Sequence, residues 1–110
     1  MKVIRQDNTY SRQNVNVRRS IDMAIDRLEQ RLSTYVDDQG IEAGKIFGDD
    51  VLIHDIINKK YYVFKTKVNQ MQIRILYTVE DDKLIILSHW YKNRTNNYYI
   101  TYFKELVSNF

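Results

Sequence analysis

The spacing of apolar residues changes twice along this chain. The first six residues hold Val3 and Ile4 as a short strand, and residues 7–13 are polar, a turn or a lead-in to a helix. From about Asn14, apolar side chains recur at steps of three and four: Ile21, Ala24, Ile25, Leu28, Leu32 and Tyr35. This is the stripe of an amphipathic helix. Asp22, Asp26, Arg27, Glu29 and Arg31 take other positions and can face water. The helix should stop near Asp37 or Asp38, with Gly40 as a left-handed terminator. Residues 41–48 read as a loop, 51–57 as a strand or an irregular edge, and 58–60 as a turn. The period then becomes two. Segments 61–68, 72–79 and 83–90 are strands joined by Asn69-Gln70 and Glu80-Asp81-Asp82, turns short enough to demand antiparallel neighbours. Thr95, Asn96 and Asn97 offer helix caps, and Tyr99, Phe103, Leu106 and Phe110 give a last helix one apolar face. The order predicts an α+β fold: a twisted antiparallel sheet of four to five strands, an N-terminal amphipathic helix or helix pair, and a short C-terminal helix.

At 110 residues the chain is expected to form a single domain, 1–110, with one core. An apolar share of 44% and a charged share of 28% argue against disorder. Without cysteine there is neither a disulfide framework nor a thiolate metal site, and two distant histidines, His54 and His89, do not make a zinc site. His54 reads as structural. No apolar run approaches the ~18 residues of a membrane span, and no signal-peptide pattern opens the chain. A cytoplasmic protein without membrane contact is the expectation.

Charge changes the picture more than composition does. The net charge is +3, but residues 1–20 carry +4, residues 21–57 carry −6 and residues 58–110 carry +5. Basic ends around an acidic middle suit one anion-binding face and one solvated face. Strand parity sharpens this. In 72–79, Ile73, Ile75, Tyr77 and Val79 form a core face, and Arg74 lies on the other with Gln72, Leu76 and Thr78. In 61–68, Tyr62, Phe64, Thr66 and Val68 share one face, and Tyr61, Val63, Lys65 and Lys67 the other. If Arg74 shares the face of Lys65 and Lys67, three cations converge where a phosphodiester could be gripped. The same group could stabilise charge that develops on phosphorus. His89, at a strand end, is a further candidate. Lys92 and Arg94 follow it, then Tyr98 and Tyr99, in a chain with nine tyrosines. Aromatic faces beside cations suit single-stranded RNA. Lysines on half-exposed strands also serve simply as protection against aggregation, and Tyr99 can equally begin the core stripe of the last helix. Gly44 and Gly48 lack the Gly-Lys-Ser/Thr of a phosphate loop, and Ser88 lacks the glycines of a nucleophile elbow.

Four short segments, in order, carry a resemblance. They are the loop Ile41-Glu-Ala-Gly-Lys-Ile-Phe-Gly48, the Lys-x-Lys strand Tyr62-Val-Phe-Lys65-Thr-Lys67, the strand Ile73-Arg74-Ile-Leu-Tyr77, and Leu87-Ser-His89-Trp-Tyr-Lys92-Asn-Arg94-Thr95 before the last helix. Together they resemble the RelE/HigB superfamily of bacterial toxins from toxin–antitoxin pairs, over roughly residues 41–107. Asn93 stands where the family pattern has a second lysine, and 49–60 is longer than that pattern. The resemblance implies a metal-independent endoribonuclease that needs no cofactor and cuts mRNA on the ribosome, with an antitoxin protein as partner. Lys65 and Lys67 would hold the phosphate or lower a neighbour's pKa, and Arg74 would stabilise the transition state. Tyr99 or Tyr98 would act as acid or base, with His89 as the alternative base. Lys92 and Arg94 would bind the RNA backbone, joined as RNA-binding candidates by Tyr98 and by Lys59 and Lys60 in the preceding turn. Some relatives poison DNA gyrase instead of cutting RNA, so a binding protein without catalysis, including a phage-encoded inhibitor of a host nucleic-acid machine, is the competing expectation.

Overall fold

The computed structural model describes residues 2–39, 61–92 and 98–109, with the side chains of 33–39 and of Tyr98 excepted. Its elements are β1 (Lys2–Arg5), a 3-10 turn (Tyr10–Arg12), α1 (Val15–Gln39), β2 (Tyr62–Val68), β3 (Met71–Glu80), β4 (Lys83–Lys92) and α2 (Tyr98–Ser108). The α+β class is as expected. The strand and loop expected over 41–60, with Lys59 and Lys60, lie outside the described residues, as do Arg94, the caps at 95–97 and Phe110.

Asn14 starts α1. Its Oδ1 accepts the Val17 N–H at 3.0 Å and its carbonyl accepts the Arg18 N–H, which satisfies donors that a first turn leaves without helical partners. The apolar stripe then buries Val17, Ile21, Ala24, Ile25, Leu28 and Leu32 against Tyr62, Phe64, Val68, Ile73, Ile75, Tyr77, Leu84 and Ile86. Arg27, off the stripe, ties the helix to β2. Its guanidinium donates to Thr66 Oγ1 and to the Lys67 carbonyl, both at 2.9 Å.

The sheet runs β1-β4-β3-β2. Both hairpins are antiparallel, but β1 joins β4 in parallel, Lys2 opposite Lys83 through Arg5 opposite Ile86. The sheet is therefore mixed, where a wholly antiparallel one was expected. A hairpin turn dictates direction, whereas β1 reaches the sheet through α1 and the residues beyond it, and a long crossover permits either sense. The two hairpin turns are two residues each, Asn69-Gln70 and Asp81-Asp82, all four with positive φ (49–65°). That is the left-handed pair that matches strand twist. Asn and Asp tolerate it, but Gln70 at φ 65° gains nothing from its side chain.

A second core lies on the opposite face, where a single core was expected. There α2 packs Tyr99, Phe103 and Val107 on Tyr61, Val63 and Leu76, with Leu87 and Trp90 at the margin. The sheet is covered on both sides, but α2 covers its side only in part.

Gln70→Gly should stabilise the protein by about 1 kcal/mol, because glycine removes the left-handed penalty at no steric cost. Chemical denaturation measures this. An unchanged or lowered midpoint would show that the turn carries no strain.

Candidate nucleic-acid face and a histidine pocket

Register places the cations. Lys65 of β2 lies opposite Arg74 of β3, which lies opposite Trp90 of β4. One row further, Lys67 lies opposite Gln72, which lies opposite Lys92. All six point to the α2 side of the sheet, because Leu76, two residues from Arg74, belongs to the α2 core. Neighbouring strands lie ~4.8 Å apart and same-face residues ~6.7 Å apart along a strand. Lys65, Lys67, Arg74 and Lys92 therefore sit within a patch ~10 Å across, at the end of the face that α2 leaves uncovered.

Arg74 is the best defined of them. One terminal nitrogen donates to the Ile73 carbonyl and the other to Gln72 Oε1, both at 3.1 Å. The guanidinium lies 5.2 Å from the centre of the Tyr99 ring, a cation–π contact. Its buried Nε has no hydrogen-bond partner, a cost of about 1–3 kcal/mol. Tyr99 is only 6% exposed and also packs on Trp90 at 5.6 Å and Phe103 at 6.1 Å. Its ring supports Arg74 from within the core.

His89 is not part of this face. A β-bulge between the pairs Leu76–Ser88 and Tyr77–Ile86 gives β4 an extra residue, Leu87. Beyond it parity reverses: His89 lies opposite Ile75 and Tyr91 opposite Ile73, both on the α1 side. There His89 is 5% exposed. Its Nδ1 bonds Asp7 Oδ2. Asp7 Oδ1 accepts the Thr9 N–H at 3.0 Å and the Thr9 hydroxyl at 2.7 Å, a turn closed by its own carboxylate. Burial pushes the Asp7 carboxyl up, but the hydrogen bonds from His89 and Thr9 and the His89 charge outweigh it, and the pKa falls below its ordinary 3.8. A carboxylate can only accept, so Nδ1 carries the proton and Nε2 is the ring nitrogen left for other chemistry.

His89 also lines a cavity of about 470 Å³ with Thr9, Arg12 and Gln13 from the 3-10 turn and its flanks, Trp90 and Tyr91 from β4, and Tyr102 from α2. The cavity follows the edge of β4 past Ile86, where β1 has ended and no described strand continues the ladder. Asp7, Arg12 and Tyr102 were not singled out in the sequence. Asp7 and His89 are 82 residues apart, and no spacing rule links them.

Nearby, Arg5, Tyr10 and Asp22 join β1, the 3-10 turn and α1. The Tyr10 hydroxyl donates to both Asp22 oxygens, at 2.8 and 2.9 Å, Arg5 meets Asp22 at 2.9 Å, and its guanidinium lies 4.3 Å from the Tyr10 ring centre. Burial and then the Asp22 carboxylate raise the Tyr10 pKa. Among the described residues no helix is long and apolar enough to cross a membrane, and no three His, Asp or Glu side chains gather as metal ligands would.

No protein-family model, curated protein or solved structure matches this chain.

Asp7→Ala should cost about 3 kcal/mol at pH 7, because it strands His89 without its buried partner. A folded-state pKa below the unfolded value stabilises the fold above the unfolded value, and that stabilisation is lost as pH falls through the folded one. The gap between wild type and Asp7→Ala in urea unfolding should therefore shrink once the pH drops below 3.8. A gap that stays constant from pH 7 to pH 3 would contradict an ionised, histidine-bound Asp7.

Proposed function

We propose that this protein binds RNA on the α2-side face of its sheet and cleaves mRNA on the ribosome, as a toxin held in check by a partner antitoxin in the cytoplasm. The observation that carries the reading is the direct pairing of Lys65 with Arg74, with Lys67 and Lys92 one row away. Four cations on so small an area suit successive phosphates, and phosphate contacts supply most of the affinity of such a surface. In cleavage the RNA 2′-oxygen attacks the adjacent phosphorus, the bond to the 5′-oxygen breaks, and a cyclic phosphate and a 5′-hydroxyl result. Arg74, fixed by Gln72 and the Tyr99 ring, would face the charge that gathers on the phosphoryl oxygens, where a positioned cation contributes most. Lys65 lies directly beside it. Three of the four short motifs that resemble RelE/HigB toxins fall wholly or mainly on these same strands, and the resemblance supplies the ribosome and the antitoxin in this reading.

A second reading has its own support. Tyr99 is enclosed in the α2 core, and His89 stands on the opposite face. Two of the expected proton carriers are therefore withdrawn from the patch, which favours a protein that occupies a nucleic-acid path without cutting.

Binding of a labelled single-stranded RNA should weaken with salt with a log–log slope of about −3 for four phosphate contacts, and Lys67→Ala should reduce that slope by about 0.7. Expression should arrest growth, and Arg74→Ala should relieve it. Primer extension on translated mRNA then separates the readings: discrete cuts support the nuclease, and intact mRNA with salt-steep RNA binding supports the binding protein. Salt-insensitive binding would defeat both.

A further inference from the structure

We propose that the cavity at the open edge of β4 is a binding site for a nucleoside monophosphate, separate from the basic sheet face and independent of it. Four large apolar side chains are more than a third exposed among the described residues, and two of them, Tyr91 and Tyr102 (37% each), line this one cavity. They come from different elements, β4 and α2, so neither exposure is a by-product of one amphipathic pattern. Trp90 adds a third ring. Flat aromatic walls suit a nucleobase, since every base has a face to stack. Arg12, itself exposed, supplies the positive charge for a phosphate. Gln13 offers both donor and acceptor. The volume, about 470 Å³, falls within the range of small-ligand pockets.

The polar end of the cavity is built. His89 is nine-tenths buried and held by Asp7, which Thr9 holds in turn. With Nδ1 directed at Asp7, Nε2 is a ring nitrogen of fixed orientation, suited to a hydrogen bond with a ribose hydroxyl. A purely structural role, tethering the chain after β1 to β4, would explain the Asp7–His89 pair. It would not explain why two exposed tyrosines and an arginine gather where the pair meets the surface. A ligand with a flat ring, hydroxyls and an anion satisfies all of these groups together.

Trp90 is the only tryptophan in the chain, so its fluorescence reports the site directly. Adenosine 5′-monophosphate titrated into the full-length protein should change that emission saturably and move the His89 ring resonances. Tyr91→Ala and Tyr102→Ala, both at exposed positions, should each weaken binding at least 10-fold with the fold intact by circular dichroism. Arg12→Ala should remove the preference for the monophosphate over adenosine. Inorganic phosphate and phenyl phosphate serve as comparison probes. No saturable signal at millimolar nucleotide, equal binding of phenyl phosphate, or affinity unchanged in both tyrosine variants would each overturn the proposal. The titration contains no RNA, so its outcome is read separately from that of the basic face.

Discussion

One extra residue in β4 decides which side chains can act together. Ahead of Leu87, the even positions of β4 face α1, as Leu84 and Ile86 do; after it, the odd ones do, as His89 and Tyr91 do. An uninterrupted strand would have sent His89 to the α2 side among Lys65 and Arg74, and Lys92 to the α1 side. The bulge exchanges them: Lys92 joins the cations and His89 retires to Asp7. Bulges are common beside functional sites because they re-aim side chains without changing the strand's course. Here the consequence is chemical. The basic face gains a fourth cation and loses its imidazole.

The position of the bulge follows from how the sheet is filled. Through Ile86, β4 lies between β1 and β3 and sends side chains into the α1 core. Past Ile86, β1 has ended, and the chain turns through Asp7 and Thr9 into the 3-10 turn that leads to α1. The far half of β4 keeps only β3 as a strand neighbour among the described residues. Two polar clusters stand in for the missing ladder: Asp7 with Thr9 and His89, and Arg5 with Tyr10 and Asp22. Such pairs contribute less to stability than an apolar contact of the same volume would, but breaking one side of them is costly. They fix where the chain leaves the sheet, and so they shape the cavity beside it.

Much of the architecture was legible because it rests on unbroken periods. The stripe from Ile21 to Leu32 reads as α1 without ambiguity, and residue parity in β2 and β3 placed Lys65, Lys67 and Arg74 on faces that the register then aligned. What could not be read depends on contacts without a period. The run Leu84-Ile85-Ile86-Leu87 is apolar throughout, so nothing in it marks where parity breaks. The one valine and one isoleucine of a strand as short as β1, Val3 and Ile4, fit either direction, and its parallel pairing stays hidden. The second core left a trace: Tyr61, Val63 and Leu76 stand on the same faces as the lysines and Arg74, more apolar than a solvated face needs. Their alternation with cations was the sign that α2 covers only part of this face.

That division is why one strand can serve two surfaces. Past the bulge, Trp90 and Lys92 turn toward α2 and the basic patch, while His89 and Tyr91 turn toward the α1 side. Trp90 reaches both, since it packs on Tyr99 beneath Arg74 and also lines the cavity. Tilted rings packed at 5.6 Å and a cation held 5.2 Å from the next ring form a continuous line of contacts from the edge of the sheet to the middle of its face. Coupling between two sites requires an element with two arrangements that both of them bias; these contacts hold Arg74 in one, so Trp90 is a wall shared by the two surfaces and not a switch between them.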